Sequence, residues 1–188
     1  VVLGAGDDGV QGSLRQALAM GADRAIHASG ESLATADALT RARVLAAAIR
    51  EEAPDLVFTG KTGVGDDEGQ VGPMLGELLD RPHAGAVFEL VLASGRFIAH
   101  RGIEGAVEIV EGDLPAVIAW DKGPHAPRYP SLRGIMAAKK KPLEVKPAQL
   151  GAASLTVDAI ALPPERPAGR IIGEGADAVP ELIRLLQT

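Results

Sequence analysis

The sequence predicts an α/β fold in which helices pack on a mainly parallel sheet. Apolar residues make up 46% of the 188 residues but aromatic residues only 3%. A core of Ala, Val, Leu and Ile is typical of helices packed closely on a parallel sheet. Apolar segments also alternate with segments of helical periodicity up to about residue 80. This alternation favours βαβ units with right-handed crossovers.

Five elements are predicted before residue 60. Apolar residues spaced three and four apart predict helices, and near-continuous apolar runs predict strands. The last run, DLVFT, is typical of a strand buried on both faces of a sheet. The five elements are a strand tip at 1–3, a helix at 10–18 closed by Gly21, a strand at 24–28, a helix at 39–52 and the strand at 55–59.

The second part of the chain changes character after a glycine-rich loop and a helix near 70–79. Ser94-Gly95-Arg96 between two apolar runs is a hairpin signal. Three prolines make the segment after Trp120 irregular, and a Pro- and Ala-rich stretch predicts an extended arm. The predicted elements are antiparallel strands at 87–92, 97–100 and 106–110, a buried strand at 114–120, a short helix at 135–141, the arm at 142–169, and a terminal helix with Asp177 as N-cap and Pro180 in its first turn.

Charge and cysteine content exclude several classes of function. Nineteen basic and 25 acidic residues give a net charge of −6, which argues against a nucleic-acid surface spread over the domain. The chain has no cysteine, so disulfides, thiolate metal sites and cysteine nucleophiles are excluded and a reducing compartment is indicated. No apolar run approaches the roughly 20 residues of a membrane span.

Two glycine-rich stretches are candidates for binding a phosphate. The opening GAGDDG has the G-x-G-x-x-G spacing of a dinucleotide turn, but Asp7 and Asp8 stand where a pyrophosphate would lie and would repel it. We interpret this stretch as a turn with acidic N-cap residues. The second loop, 60–76, follows a predicted parallel strand, and the amides at Gly69–Gly72 could accept a phosphate.

Other polar residues give weaker signals. Asp66, Asp67 and Glu68 are interpreted as solvated loop charge rather than a metal site, and the four histidines have no ligand-like spacing. The lysines at 139–141 are interpreted as a solvated face. Leu132 is an apolar residue on a proline-flanked irregular segment, which is typical of an interface anchor.

Five segments in the same order resemble the β subunit of electron-transfer flavoprotein, over essentially the whole chain. They are ALAMGADRAIH, DLVFTGK, DDEGQVGPML, LPAVIAW and PRYPSLRGIMAAKKKPLEV. The sequence also keeps most of the family's basic, acidic and apolar pattern at Arg101, Glu104, Gly105, Glu108 and Pro115, with Ala106 where the family has Gly or an acid.

The resemblance implies a Rossmann-like, adenine-nucleotide-binding domain at 1–145 with helices on both faces of its sheet. The sequence pattern itself predicts an extended arm and helix at 146–188 that dock on a partner subunit, because a terminal helix reached by a long arm lies away from the main core. Because Val1 already lies in a strand pattern, we expect a first strand before it. In function, the resemblance implies an electron carrier subunit rather than an enzyme.

The same resemblance implies a heterodimer with an α subunit that holds most of the FAD, while the β subunit binds AMP. Acyl-CoA or other flavoprotein dehydrogenases, as in fatty acid oxidation, would supply electrons, and a membrane oxidoreductase would receive them. Nucleic-acid binding and membrane insertion are not expected. The compartment would be the bacterial cytoplasm, or the mitochondrial matrix in a eukaryote.

The family's nucleotide contacts fall on one position of the first helix and on one continuous run. Where the family commonly has Asp, Asn and Thr in that run, this chain has Gly65, Gly69 and Val71, so backbone donors would have a larger part in binding. The family's dehydrogenase-recognition leucine falls on Leu132. The implied nucleotide contacts are Val10, Gly65, Asp66, Asp67, Glu68, Gly69, Gln70, Val71, Gly72, Pro73, Met74, Leu75 and Gly76.

Three alternatives remain at this point. One is a stand-alone adenine-nucleotide-binding domain of the stress-protein type, although the arm and terminal helix would then have little to pack on. Another is an electron-bifurcating relative with a second FAD in place of AMP. A hydride-transfer dehydrogenase is disfavoured by the two acids in the opening turn.

Overall fold

The computed structural model describes residues 1–64, 67–149, 151, 155, 157–166 and 168–187. The chain divides into two compact units, Val1–Thr156 and Val157–Thr188. Within the described residues, no helix is both long and apolar enough to cross a membrane.

Among the described residues, the first unit carries eight strands and four α-helices, and the second unit carries one α-helix. Short 3-10 helices at Glu31–Thr35 and Ala176–Ala178 precede the second and the last α-helix. In chain order the elements are β1 Val2–Gly6, α1 Val10–Ala19, β2 Ala25–Ser29, α2 Ala38–Glu52, β3 Leu56–Gly60, α3 Val71–Leu79, β4 His83–Ala93, β5 Arg96–Ile103, β6 Ala106–Asp113, β7 Ala116–Trp120, α4 Leu132–Ala138, β8 Leu143–Pro147 and α5 Val179–Leu186.

The strands form two sheets, which confirms the predicted α/β class. The first sheet has the order β1-β2-β8 and is parallel. The second has the order β3-β7-β4-β5-β6; β3, β7 and β4 are parallel, and β4, β5 and β6 form the predicted antiparallel hairpins. Strand β8 was not predicted, because its residues were included in the extended arm.

β1 and β3 each lie at the end of a sheet, and a cavity of about 510 Å³ is lined by residues of both strands. The prediction that 55–59 is buried on both faces is therefore wrong. Phe58 is 56% exposed, and no residue of β3 is fully buried. The reason is the position of β3 at a sheet end, which an apolar run in the sequence does not reveal.

Helices pack on both sheets through small and aliphatic residues. α1 and α4 cover β2 and β8 with Leu14, Leu18 and Ala138. α2 and α3 pack together over β1, β3 and β7, with Ile49 and Leu75 in their shared core. The low aromatic content of the sequence thus corresponds to aliphatic helix–sheet layers.

Two predicted helix starts are corrected by the structure, and one predicted helix end is confirmed. The helix predicted at 135–141 is α4, which begins at Leu132 because the Ser131 hydroxyl accepts a hydrogen bond from the Gly134 amide at 3.0 Å. Asp177 lies in a 3-10 turn, and the N-cap of α5 is Ala178, although Pro180 is in the first turn as predicted. Gly21 follows the end of α1 with φ +125°, as expected for a closing glycine.

Candidate functional site

The opening glycines allow α1 to lie close to β1. A Cβ on Gly4 would stand 2.6 Å from Val10 Cγ1, and one on Gly6 would stand 2.6 Å from Val10 Cγ2. Val10 is the first residue of α1 and is half-buried against this backbone. The glycines of this motif are therefore needed for the close packing of α1 on β1.

The acids of the opening turn bond locally. Asp7 Oδ1 accepts from the Gly9 amide at 3.0 Å, and Asp8 Oδ1 accepts from Gln11 Nε2 at 3.2 Å. The N-cap of α1 is Gly9, with no side-chain cap, so the prediction of acidic N-cap residues is wrong. The amides of residues 10, 11 and 12 donate to the carbonyls of residues 7, 8 and 9. These amides are not open to a pyrophosphate.

The second glycine loop lies at the carboxyl ends of β3 and β7. The Lys61 amide donates to the Trp120 carbonyl at 2.9 Å, and Lys61 Nζ donates to Asp121 Oδ2 at 2.8 Å. The Lys61 ammonium, together with the Lys122 amide, lowers the pKa of the Asp121 carboxyl. A Cβ on Gly69 would stand 3.3 Å from the Lys61 carbonyl oxygen, so the loop closes on itself there.

The first turn of α3 has no side-chain cap. Gln70 is the N-cap residue without a capping side-chain bond, Pro73 has no amide proton, and the first amides of a helix have no intrahelical acceptor. Of the other predicted contacts, Asp67 and Glu68 are exposed, whereas Leu75 and Gly76 are buried. Gly65 and Asp66 lie outside the described residues.

Two polar side chains that the sequence reasoning missed lie beside the start of α3. A Cβ on Gly72 would stand 3.0 Å from Thr59 Oγ1 and 3.1 Å from His83 Nε2. Both atoms are buried without a hydrogen-bond partner in the described structure. Burial, and then the charge of Arg101, lowers the pKa of His83.

Of these two residues, only Thr59 could have been identified as a site candidate from the sequence. Thr59 stands at the end of a predicted parallel strand, where such sheets present polar groups to ligands. His83 precedes the antiparallel segment and carries no such signal. In the part of the chain that the structure describes, no three His, Asp or Glu side chains are placed to hold a metal ion.

α4 presents a group of exposed apolar residues. Leu132 is 78% exposed and Met136 62%, and Tyr129 just before the helix is also exposed. Leu132 is therefore an exposed helix residue and does not belong to an irregular segment. Between α1 and α4 lies an open cavity of about 510 Å³, lined by Gln16, Ala19, Pro130, Ile135 and Ala138 among others.

The three lysines after α4 do not form one uniform solvated face. Lys139 and Lys140 are exposed, as predicted. Lys141 is not, because its ammonium donates to two main-chain carbonyls at the end of α1, those of Leu18 and Ala22. The run of charge in the sequence gives no sign of this difference.

Comparison with known proteins assigns the family. The sequence model for the electron transfer flavoprotein domain matches residues 1–150. The chain is 37% identical to the electron transfer flavoprotein subunit beta of Syntrophomonas wolfei, over 90% of this chain and 66% of that protein. For the Bacillus subtilis subunit beta the values are 35%, 97% and 75%, and for the Homo sapiens subunit beta 39%, 92% and 70%.

The chain thus spans about two thirds to three quarters of the length of these relatives. The match covers the sheets, the glycine loop and α4, and the relatives agree on one kind of subunit. The chain belongs to the electron transfer flavoprotein family, as a relative of its β subunits.

Proposed function

We propose that this chain is the β subunit of a heterodimer that carries electrons from flavoprotein dehydrogenases to a downstream membrane oxidoreductase. It acts as a carrier subunit and not as an enzyme. The observation that supports this most directly is the exposed apolar surface of α4, with Leu132 at its first position. One apolar anchor among lysines suits the short-lived contacts of an electron shuttle.

The start of α3 is the proposed AMP site. A phosphate group suits this position because the side chain of the N-cap residue, Gln70, does not cap the helix, and the first amides of a helix are donors without an intrahelical acceptor. The buried Thr59 Oγ1 and His83 Nε2 lie so close to Gly72 that only a glycine fits there, which brings the first turn of α3 close to β3 and β4. Binding then depends on backbone groups, as the glycines at positions 65 and 69 suggest.

FAD would supply the one- and two-electron chemistry of the complex, and it would be held mainly by the α subunit. The contribution of this chain is to bind the structural nucleotide and to present α4. In the second unit, α5 supports association with a partner, since Val179, Leu182, Ile183 and Leu186 on its apolar face are 43% to 78% exposed. Such a face is typical of a helix that docks on another surface.

Co-expression with an α subunit from the same genome tests the proposal. Gel filtration and a visible spectrum should give a yellow heterodimer. A colourless chain that never captures the α subunit would contradict the proposal and would favour a stand-alone nucleotide-binding domain. Mass spectrometry of the nucleotide released on denaturation separates AMP from a second FAD, the alternative expected of an electron-bifurcating relative.

The role of Leu132 is tested in the same heterodimer with an acyl-CoA dehydrogenase that reduces the wild-type protein. Leu132→Ala should raise the KM for the heterodimer as electron acceptor, because the anchor is lost, while the FAD content stays the same. Val107→Ala is a matched control, since Val107 is an exposed apolar residue of β6, outside both α4 and the glycine loop. An unchanged KM in Leu132→Ala would refute the anchor role.

A further inference from the structure

Two basic side chains cross the junction between α1 and α4 in opposite directions. Arg15 Nη1 donates to the carbonyl of Ala138 at 2.7 Å and to that of Lys141 at 2.8 Å. Lys141 Nζ donates to the carbonyl of Leu18 at 3.0 Å and to that of Ala22 at 2.6 Å. We call this arrangement the cross-cap. Each of its cations satisfies carbonyls at the C-terminal end of the other segment, where the helix dipole also favours positive charge.

The backbones also meet closely at this junction. A Cβ on Gly134, within α4, would stand 2.5 Å from the carbonyl oxygen of Ala19. Ala138 is 3% exposed and packs in one cluster with Leu18. α4 is therefore seated on the end of α1 through a glycine, a small buried side chain and the cross-cap.

The orientation of α4 depends on these contacts because the helix is short. It has seven residues, and isolated helices of this length are not stable in water. Leu132 begins the helix and the cross-cap holds its C-terminal end. A change at that end can therefore tilt or loosen the segment that presents Leu132, although Arg15 and Lys141 bond to main-chain groups and not to Leu132 itself.

We propose that Arg15 and Lys141 are positioning residues for the docking surface of α4, which hold Leu132 in the orientation that a dehydrogenase recognises. This inference rests on the proposed function. It assigns Lys141 a role different from that of Lys139 and Lys140. Lys141 holds the C-terminal end of α4 against the end of α1, whereas the other two lysines remain available to solvent or to a partner.

The test uses the heterodimer and the same acyl-CoA dehydrogenase. Lys141→Met keeps the aliphatic stem but removes the two hydrogen bonds, and Arg15→Lys keeps the charge but loses the fork that reaches two carbonyls. Both should raise the KM for the heterodimer several-fold with kcat unchanged. Arg43→Met removes an equal charge from an exposed position of α2, away from α4, and we expect its KM to stay within about twofold of wild type.

Two further readouts separate positioning from general stability. Hydrogen exchange of the α4 amides should become faster in Lys141→Met while the strands of the sheets keep their protection. Lys141→Arg, which can still donate to both carbonyls, should recover most of the wild-type KM. Arg15→Lys serves as the second variant if Lys141→Met does not fold.

Coupling to Leu132 completes the test. If Lys141 acts through Leu132, adding Lys141→Met to Leu132→Ala should raise the KM little further, whereas independent effects would multiply. Multiplied effects, or an unchanged KM with unchanged α4 exchange in both cross-cap variants, would overturn the inference. If Leu132→Ala itself leaves the KM unchanged, the anchor role of Leu132 is refuted, whereas the carrier function is decided by the co-expression test. The cross-cap is then refuted separately if the α4 amides of Lys141→Met exchange as slowly as those of wild type.

Discussion

A methyl group of Val10 occupies the space where a side chain on Gly4 would stand, with only 2.6 Å between Val10 Cγ1 and an added Cβ. The contact joins the first turn of α1 to the middle of β1. Gly4→Ala should therefore destabilise the protein by about 1–3 kcal/mol, the usual effect of an overpacked site. Urea unfolding followed by circular dichroism measures this change.

Gly12→Ala is the matched control. Gly12 is an exposed residue of the same helix, and a Cβ there would meet no atom within 4 Å. Replacing a helical glycine by alanine should stabilise the protein by up to about 1 kcal/mol. If both variants shifted the urea midpoint in the same direction, the packing explanation for the opening glycines would be wrong.

A negative charge at the start of α3 should weaken nucleotide binding without harming the fold. Gln70→Glu changes the exposed N-cap residue to an isosteric carboxylate, which repels a phosphate and interacts favourably with the helix dipole. We expect AMP affinity, measured by calorimetry on the nucleotide-free heterodimer, to fall about tenfold or more at low salt. Gln149→Glu adds the same charge at an exposed position outside α3, so equal losses in both variants would rule out α3 as the phosphate site.

The lowered pKa of His83 predicts a loss of stability on mild acidification. Above the ordinary value of 6.5 both the folded and the unfolded states carry a neutral imidazole. Below it the unfolded chain takes up the proton more readily, so the free energy of unfolding falls until the folded pKa is reached. Between about pH 8 and pH 5.5, the urea midpoint of wild type should fall more than that of His83→Gln, whose side chain does not titrate.

An equal acid response in wild type and His83→Gln would show that protonation of His83 is not opposed by the fold. Other titrating groups are common to the two proteins, so the difference between them isolates His83. Thr59→Val should leave this pH response unchanged, since its hydroxyl does not titrate. The two variants together thus distinguish an effect of His83 protonation on stability from an effect of altered packing around Gly72.

Two leucines on neighbouring helices should respond to truncation in opposite ways. Leu18 in α1 is 1% exposed and Leu132 in α4 is 78% exposed. Leu18→Ala should destabilise the protein by about 2–5 kcal/mol because it leaves a cavity in the core. Leu132→Ala should change the free energy of unfolding by less than about 0.5 kcal/mol. A larger decrease, measured by thermal unfolding, would mean that Leu132 stabilises the fold itself.

Helices and strands could be predicted from the sequence wherever the apolar residues were regularly spaced. The helices α1, α2 and α3 and the hairpin strands β4, β5 and β6 follow from apolar spacing and from Ser94-Gly95. The position of β3 at a sheet end, the pairing of β8 with β2 and the start of α4 did not follow. Sheet order and capping depend on which segments meet in space, and a local pattern does not contain that information.

The candidate site was predictable in outline only. The uncapped start of α3 could be expected from a glycine loop after a strand. The approach of His83 to Gly72 could not, since it depends on the close packing of α3 on the second sheet. The internal bonding of Lys141 was hidden for a similar reason: its acceptors Leu18 and Ala22 are over 100 positions earlier in the chain.

The position of β1 and β3 at sheet ends has a practical consequence for handling the protein. Main-chain donors and acceptors of a terminal strand are free to add a strand from a neighbouring molecule, which is a common start of aggregation. Among the described strands β3 pairs only with β7, and Phe58 exposes an aromatic ring on a face of this terminal strand. A lysine in place of Phe58 is the first substitution we would choose to keep concentrated samples monodisperse.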